Sequence, residues 1–396
     1  MAEQLAIHGG APVRASLLPY CRQAVDEEDV AAVVSALRSD WLTTGPLVSR
    51  FEETLASAVG APHAVAVSSG TAALHAAVVA AGLGPGDEVI TSPLTFVASA
   101  NAVLYAGAVP VFADVDSETL AIDPAAVEAA VTPRTRGVLP VDYAGQPCEL
   151  DALLDLARAH RLVLIEDAAH SLGAEYRGRR VGGLADLTTF SFHPAKVITT
   201  GEGGMVTTGR EDLAARLRRF RNHGLETDFR ERDARRLSYS PMVEAGYNYR
   251  LTDLQCALGL SQLAKLEDFL KRRAAIAERY TAALVGQAGV ALPRVAPPVR
   301  HAWHIFPILL DPEALRADRD TILAALRAEN IAAAVHYVPA YWHPHYERLG
   351  YRRGLCPRAE RGFERLLSLP LFPAMSDTDV DDVLEALGKV LEYYSR

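Results

Sequence analysis

The stretch His63-Ala64-Val65-Ala66-Val67-Ser68-Ser69-Gly70-Thr71-Ala72-Ala73-Leu74 sets the reading of this chain. Five residues of strand length, mostly small or β-branched and apolar, run into a turn of small residues. That turn opens a helical pattern. An apolar run this short, without polar alternation, fits a strand covered on both faces, as in a parallel sheet. Runs of similar length follow at Glu88–Thr91, Val109–Ala113, Gly137–Val141, Leu162–Ile165 and Leu187–Phe192, with helical segments such as Thr71–Leu83 and Leu150–His160 between most of them. The alternation predicts an α/β domain with a large, mostly parallel sheet flanked by helices. Upstream, Val30, Val33, Val34 and Leu37 recur at helical spacing. Ser49 followed by Glu52 predicts a capping box opening a helix that carries Phe51 and Leu55 and stops near Gly60.

The pattern changes after Arg250. Leu251–Val285 is continuously helix-compatible, and Pro293, Pro297 and Pro298 then mark a break. An apolar run at His304–Leu310, a helix near Asp320–Glu329, a run at Ile331–Val335 and a last helix near Asp377–Tyr394 read as a smaller C-terminal α+β domain. The expected organisation is an N-terminal arm over 1–25, a large α/β domain over 26–250, and a linking helix with the small domain over 251–396. There is no internal repeat.

The composition excludes several classes of function. With 396 residues, 49% hydrophobic and 22% charged, the chain has ample apolar surface for a core. Its 40 basic against 49 acidic residues, net −9, remove the simplest argument for a nucleic-acid or anionic-membrane partner. No apolar run reaches the ~18–20 residues that span a bilayer, and Met1–Ser16 lacks a signal pattern. Cys21, Cys148, Cys256 and Cys356 stand too far apart for a zinc site or a disulfide framework. The expectation is a cytoplasmic enzyme without a metal.

Only four of the basic residues are lysines: Lys196, Lys265, Lys271 and Lys389. Arginine neither forms imines nor sheds its proton readily, so lysine chemistry must use one of them. Lys265, Lys271 and Lys389 lie on amphipathic helices among other charges and read as solvated. Lys196, in Phe190-Ser191-Phe192-His193-Pro194-Ala195-Lys196, follows a strand and precedes the glycine-rich Thr199-Thr200-Gly201-Glu202-Gly203-Gly204, where the backbone must come close to something. A partly desolvated lysine is a nucleophile with a lowered pKa. In Leu162-Val163-Leu164-Ile165-Glu166-Asp167-Ala168-Ala169-His170 the carboxylate of Asp167 ends a buried strand; it reads either as a cap or as the partner of a buried cation, which would lower its pKa. The Ser69–Thr71 turn at a helix N-terminus is a ready anion site. No G-x-G-x-x-G and no Walker lysine accompany it, which weakens the case for dinucleotides and ATP. A phosphate turn, an aspartate and a lysine on successive strand ends are what pyridoxal phosphate requires: the lysine holds the aldehyde, and the aspartate keeps the ring nitrogen protonated.

At this point the sequence resembles the DegT/DnrJ/EryC1/StrS family of sugar aminotransferases, pyridoxal-phosphate enzymes of fold type I, over nearly the whole chain. The resemblance is carried by Trp41-Leu42-Thr43-Thr44-Gly45-Pro46, Ser68–Thr71, Thr95-Phe96-Val97-Ala98, Glu166–His170, His193–Lys196, Arg221-Asn222-His223-Gly224, Gly246-Tyr247-Asn248-Tyr249-Arg250 and Val335-His336-Tyr337-Val338-Pro339. Trp41–Pro46 and Thr199–Gly204 look most like enzymes acting on nucleotide-linked 4-keto sugars, the pseudaminic acid pathway aminotransferase among them. The resemblance implies that Lys196 holds the cofactor and shuttles the proton, Asp167 pairs with the pyridine nitrogen, Phe96 lies over the ring and His170 contacts the ring hydroxyl, a place where many relatives carry Gln. Gly70, Thr71 and Ser191 would bind the phosphate. Asn248 would reach the cofactor phosphate of the neighbouring subunit, making the homodimer obligatory. Tyr20, Trp41, Thr43, His336 and Tyr337 would touch the sugar nucleotide.

The expected activity is transfer of an amino group from glutamate to the C4 keto group of a UDP- or dTDP-linked 4-keto-6-deoxy sugar. A C3-keto-sugar or ketocyclitol aminotransferase shares the same catalytic residues. A dehydratase of the family would carry histidine in place of Lys196, and a cofactor-binding regulator without turnover belongs to another class. Trp41 and Phe96 also suit a plain core role, and His336 and Tyr337 an ordinary interface. His75, His160 and His301 read as structural or solvated, and Asp26–Asp29 as the acidic first turn of a helix.

Overall fold

The computed structural model describes residues 4–227 and 229–396; the first three residues of the 1–25 arm lie outside it. Seven strands form the central sheet: β1 His63–Val67, β2 Glu88–Thr91, β3 Val109–Phe112, β4 Thr135–Leu139, β5 Val163–Asp167, β6 Leu187–Ser191 and β7 Gly204–Thr208. Their order is β1-β7-β6-β5-β4-β2-β3. All neighbours are parallel except β7, which runs against both β1 and β6. The six apolar runs read from the sequence thus become strands within one or two residues at each end. β7 was hidden inside the glycine-rich segment, where a turn was expected to continue.

The helix Gly70–Ala80 is buried over most of its length because alanine and valine occupy all its faces, and it packs with Val65, Val67, Ile165, Leu187 and Val206 of the sheet. Helix Leu150–His160 falls where expected and closes on Arg161 in the left-handed region. A second antiparallel sheet, β8 Val290–Ala291, β9 Phe306–Leu310 and β10 Leu366–Leu369, supports the C-terminal part. Its apolar cluster runs from Ile276 to Leu391 and includes Leu5 and Leu18. Residues 4–20 are therefore no free arm. Glu329 accepts from the N–H groups of Ala6 and Val13, Lys389 Nζ reaches Ala11 O at 2.9 Å, and Leu371 N–H holds Tyr20 O.

Three local expectations are corrected. The helix carrying Phe51 and Leu55 starts at Pro46, with Gly45 as its N-cap, so Ser49 lies inside it. Proline presets the first helical position, and the Asp253 carboxylate, from a distant helix, accepts from Gly45 N at 2.6 Å and Leu47 N at 3.0 Å. The stretch 251–285 is two helices, Asp253–Ala264 and Leu266–Leu284, broken at Lys265. The Ile331–Val335 run forms only single bridges, Ile331 with Leu18 and Ala334 with Ser368. Two supposedly solvated lysines are also ion-paired and largely buried. Lys265 contacts Asp26 and the buried Asp29 at 2.7 and 2.8 Å, and Lys389 contacts the buried Glu329 at 3.2 Å. No helix among the described residues is long and apolar enough to cross a membrane.

Candidate active site

Ligands in open α/β sheets sit beyond the carboxyl ends of the parallel strands. Here a cavity of about 440 Å³ lies there, walled by Ser69–Thr71 after β1, Thr95–Ser99 after β2, Asp167–His170 at the end of β5 and Ser191–Lys196 after β6. Tyr20, His304, His336 and Tyr337 close it from the side.

The phosphate turn is built by close packing. Ser69 is extended and its Oγ accepts from Ala72 N at 3.0 Å, which caps the Gly70–Ala80 helix. A Cβ on Gly70 would lie 2.7 Å from Ser191 Cβ, so only glycine lets the first turn of the helix stand beside the serine hydroxyl. Gly204 is held similarly: a Cβ there would come within 2.4 Å of Ser69 O. This is what the glycine-rich segment approaches.

Asp167 is buried. Its Oδ2 accepts from Ser99 Oγ at 2.6 Å and its Oδ1 from Ala169 N at 3.1 Å. Desolvation pushes its carboxyl above the ordinary range, opposed by those two donors and by the Lys196 charge. The sequence reading expected the opposite direction, because it placed a cation against the carboxylate; in the chain alone burial outweighs the donors.

Lys196 sits on the connection between β6 and β7, which run antiparallel side by side. The connection is tied by Phe192 N to Gly203 O, Thr200 N to Phe192 O and Lys196 N to His193 O. Desolvation brings its ammonium down to about 8, partly offset by Asp167. A lysine so placed is neutral in roughly a tenth to a quarter of molecules near physiological pH, far more than an ordinary lysine, and that fraction is nucleophilic.

His170 Nε2 and Tyr337 Oη are 3.1 Å apart, and the His170 ring packs against His304 with centroids 4.2 Å apart. The Nδ1 atoms of both histidines are buried without a partner. Burial keeps His170, His304 and His336 neutral, His336 down to about 4. His336 Nδ1 contacts Ser368 Oγ at 3.0 Å, and its carbonyl accepts from Tyr143 Oη at 2.6 Å. Phe96 is 58% exposed at the cavity rim, with its ring 6.2 Å from Tyr337, so it is not core.

The cavity thus brings together Gly70, Thr71, Phe96, Asp167, His170, Ser191, Lys196, Tyr20, His336 and Tyr337. It does not include Trp41, Thr43 or Asn248. Trp41 is 38% exposed, outside the core. Thr43 lines a separate cavity of about 480 Å³ with Arg219, Arg221 and Arg250. Asn248 is exposed and its backbone bridges Asn222. Sequence reasoning missed Ser99, His304, His193 and Glu202, all on the cavity wall. Ser99 lies one residue beyond the Thr95–Ala98 stretch that was singled out, and His304 opens the apolar run to Leu310. Ala195 N donates to His193 Nδ1 at 3.2 Å, so a neutral His193 carries its proton on Nε2.

These residues fit pyridoxal phosphate. A turn that a single Cβ would fill, a serine hydroxyl beside it, a buried carboxylate ready for a cation and a desolvated lysine share one cavity. Among the described residues no group of three or more His, Cys, Asp and Glu could hold a metal ion.

Comparison with known proteins agrees with this chemistry. Residues 23–388 match the DegT/DnrJ/EryC1/StrS aminotransferase family. The spore coat polysaccharide biosynthesis protein SpsC of Bacillus subtilis is 46% identical over 382 residues, 96% of this chain and 98% of SpsC. A sugar aminotransferase of Streptococcus pneumoniae, Spr1654, solved in PMP and PLP forms, is 31% identical in the PMP form, with a TM-score of 0.90 over 95% of this chain and 99% of its own. PseC of Helicobacter pylori, an aminotransferase involved in the biosynthesis of pseudoaminic acid, is 32% identical, with a TM-score of 0.89 over 96% of this chain and 100% of its own.

Proposed function

Since this chain belongs to the DegT/DnrJ/EryC1/StrS aminotransferase family, we propose that it moves an amino group from glutamate to the C4 keto group of a nucleotide-linked 4-keto-6-deoxy sugar. The coarser activity is that of a pyridoxal-phosphate-dependent sugar aminotransferase. The observation that carries it is the meeting of Lys196, Asp167 and the Gly70 turn in one cavity at the strand ends. A sugar substrate is supported by likeness to an aminotransferase of pseudoaminic acid biosynthesis and to a protein of spore coat polysaccharide biosynthesis.

Pyridoxal phosphate, when bound, supplies a ring that accepts the electrons of the carbon losing its proton. The chain does the rest. Gly70, Thr71 and Ser191 hold the phosphate at the helix N-terminus, where the free N–H groups and the dipole favour an anion. Asp167, oriented by Ser99 and Ala169, would keep a proton on the ring nitrogen of the cofactor. Lys196 Nζ would hold the cofactor and move a proton at the substrate carbon; a pKa of about 8 lets it take and return that proton near neutrality. Phe96 and Tyr337 line the cavity where they would wall the ring, and His170 would meet its hydroxyl. Tyr20, His336 and Tyr337 offer hydrogen bonds to a sugar.

Asn248 would serve the neighbouring subunit's phosphate in a homodimer, and Trp41 and Thr43 would touch the sugar nucleotide. Support comes from their position off their own cavity and from the exposed apolar side chains Tyr239, Met242, Val243 and Tyr247 beside Asn248. We place the large domain at 26–250, the small one at 251–396, and the enzyme in the cytoplasm, the last in keeping with four unpaired cysteines.

The test is an absorbance spectrum of the purified protein before and after glutamate, followed by product NMR with UDP- and dTDP-linked 4-keto sugars. A bound-cofactor band that shifts on adding glutamate, and a C4-aminated product, are expected. A band indifferent to glutamate overturns the donor, and amination at C3 overturns the regiochemistry.

A further inference from the structure

Behind the cavity, two carboxyl groups face each other in the interior. Glu166 and Asp142 are both 0% exposed, and their side chains are within hydrogen-bonding reach of one another. Both oxygens of Asp142 already have donors: Cys148 N meets Oδ1 at 2.9 Å and Ser171 Oγ meets Oδ2 at 2.5 Å. Glu166 Oε2 accepts from Thr188 Oγ1 at 2.8 Å, whereas Oε1 is buried with no partner. Two ionised carboxylates in contact and out of water would repel strongly, and one proton between them removes the repulsion. The donors around Asp142 mark it as the ionised member, and the orphaned Oε1 marks Glu166 as the carrier of the proton.

The other titratable groups nearby keep the pair as it is. The Cys148 thiol is pushed well up by burial and by both carboxyls, so it stays protonated, and its Sγ donates to Val141 O at 3.1 Å. The Asp167 charge further disfavours ionisation of Glu166.

The pair lies at a junction. Asp142 N donates to Asp167 O at 3.1 Å. Ser171, bound to Asp142, directly follows His170. Tyr143, next in sequence to Asp142, holds the His336 carbonyl. Cys148 N on Oδ1 closes the turn that carries Tyr143.

We propose that Glu166 and Asp142 are a one-proton carboxyl pair that acts as a positioning device, fixing the turns that carry His170 and Tyr143 and through them the walls of the active site. The positioning half rests on the aminotransferase reading, and the shared proton does not. Glu166 faces away from the cavity, on the strand position before Asp167, and neither member touches substrate or cofactor.

The experiment uses the full-length holoenzyme and the variants Glu166→Gln, Asp142→Asn and Glu166→Leu. Infrared spectra at neutral pH should show a protonated-carboxyl carbonyl band. Glu166→Gln should remove it by deleting the acid, whereas Asp142→Asn should keep it at a shifted frequency, because burial and the Asp167 charge still hold Glu166 protonated beside a new amide partner. Glu166→Leu should slow the glutamate-induced absorbance change tenfold or more with little change in KM. Glu166→Gln should rescue it, since its amide donates to Asp142 while its carbonyl accepts from Thr188. Absence of the band, or its survival in Glu166→Gln, overturns the shared proton whatever the substrate is. A folded Glu166→Leu with wild-type kinetics, or a Glu166→Gln variant slowed tenfold or more, overturns the positioning role. Should Glu166→Leu not fold, the band and the Gln variant decide.

Discussion

Ser99 Oγ donates to Asp167 Oδ2 at 2.6 Å, from the first turn of the helix that follows β2 to the end of β5. The bond turns the carboxylate toward the cavity and opposes the desolvation that would neutralise it. A hydrogen bond to a charged group contributes about 1.5–3 kcal/mol. Ser99→Ala should therefore lower kcat by about 10- to 100-fold while the KM for the sugar stays near its original value. Steady-state kinetics check this, and a change confined to KM contradicts it.

Lys196→Ala should abolish the absorbance of the covalently held cofactor and reduce transamination by more than about 10³-fold, since proton transfer alone is worth about 10²–10⁴-fold. Asp167→Asn should keep the cofactor but slow both half-reactions. Wild-type turnover in either purified variant removes that residue from the mechanism.

The Lys196 ammonium is lowered to about 8, so half of it is neutral at that pH and the neutral fraction levels off about one unit higher. Reconstitution of cofactor-free enzyme with pyridoxal phosphate should accelerate through about pH 8, its half-maximal point, and plateau by roughly pH 9. A rate still climbing at pH 10 would mean an unperturbed lysine.

These residues show which parts of the site the sequence made legible. The apolar runs at 63–67, 88–91 and 162–165 are largely buried on both faces, and burial of that kind favours a near-continuous apolar pattern. The position of Lys196 followed from scarcity: with four lysines, elimination nearly suffices, although two of the three set aside are buried in ion pairs. Ser99 and His304 were missed because their roles come from strands and turns far apart in the chain, and no local spacing reveals that. The same holds for Asp253, which caps a helix some two hundred residues upstream, and for the single bridges that replaced the strand expected at Ile331–Val335.

Gly70→Ala would place a methyl carbon 2.7 Å from Ser191 Cβ. Overpacking of this kind costs about 1–3 kcal/mol, and here the strain falls on the phosphate turn. Cofactor affinity should drop by roughly tenfold or more, measured by equilibrium titration of the cofactor-free protein. An unchanged Kd shows that the turn can relax.

The dimer reading has a subunit-mixing test. If Asn248 serves the partner's cofactor, inactive Lys196→Ala and Asn248→Ala chains should form mixed dimers with one intact site each. A random one-to-one mixture should recover roughly a quarter of wild-type activity. No recovery places Asn248 in its own subunit's site or outside the mechanism.

His170, His304 and His336 have folded-state pKa values below the ordinary 6.5. The unfolded chain binds more protons than the folded one as pH falls below 6.5, so their contribution to stability is present above that pH and is lost as acid is added, toward about 4 for His336. The Tm should fall between pH 6.5 and 5, and His304→Phe should flatten the fall. A Tm constant over that window contradicts the neutral assignment.

The cover over residues 4–20 has a consequence in time. A ribosome adds about 5–20 residues per second, so Glu329, Lys389 and Leu371, which hold Ala6, Ala11 and Tyr20, emerge roughly 15–75 s after the segment they hold. The nascent chain can complete its central sheet while its own beginning still waits. Tyr20, a wall of the cavity, can be held only once Leu371 has been made, so a chain that ends before that residue has the strands of its central sheet but lacks the tie on this side of its active site.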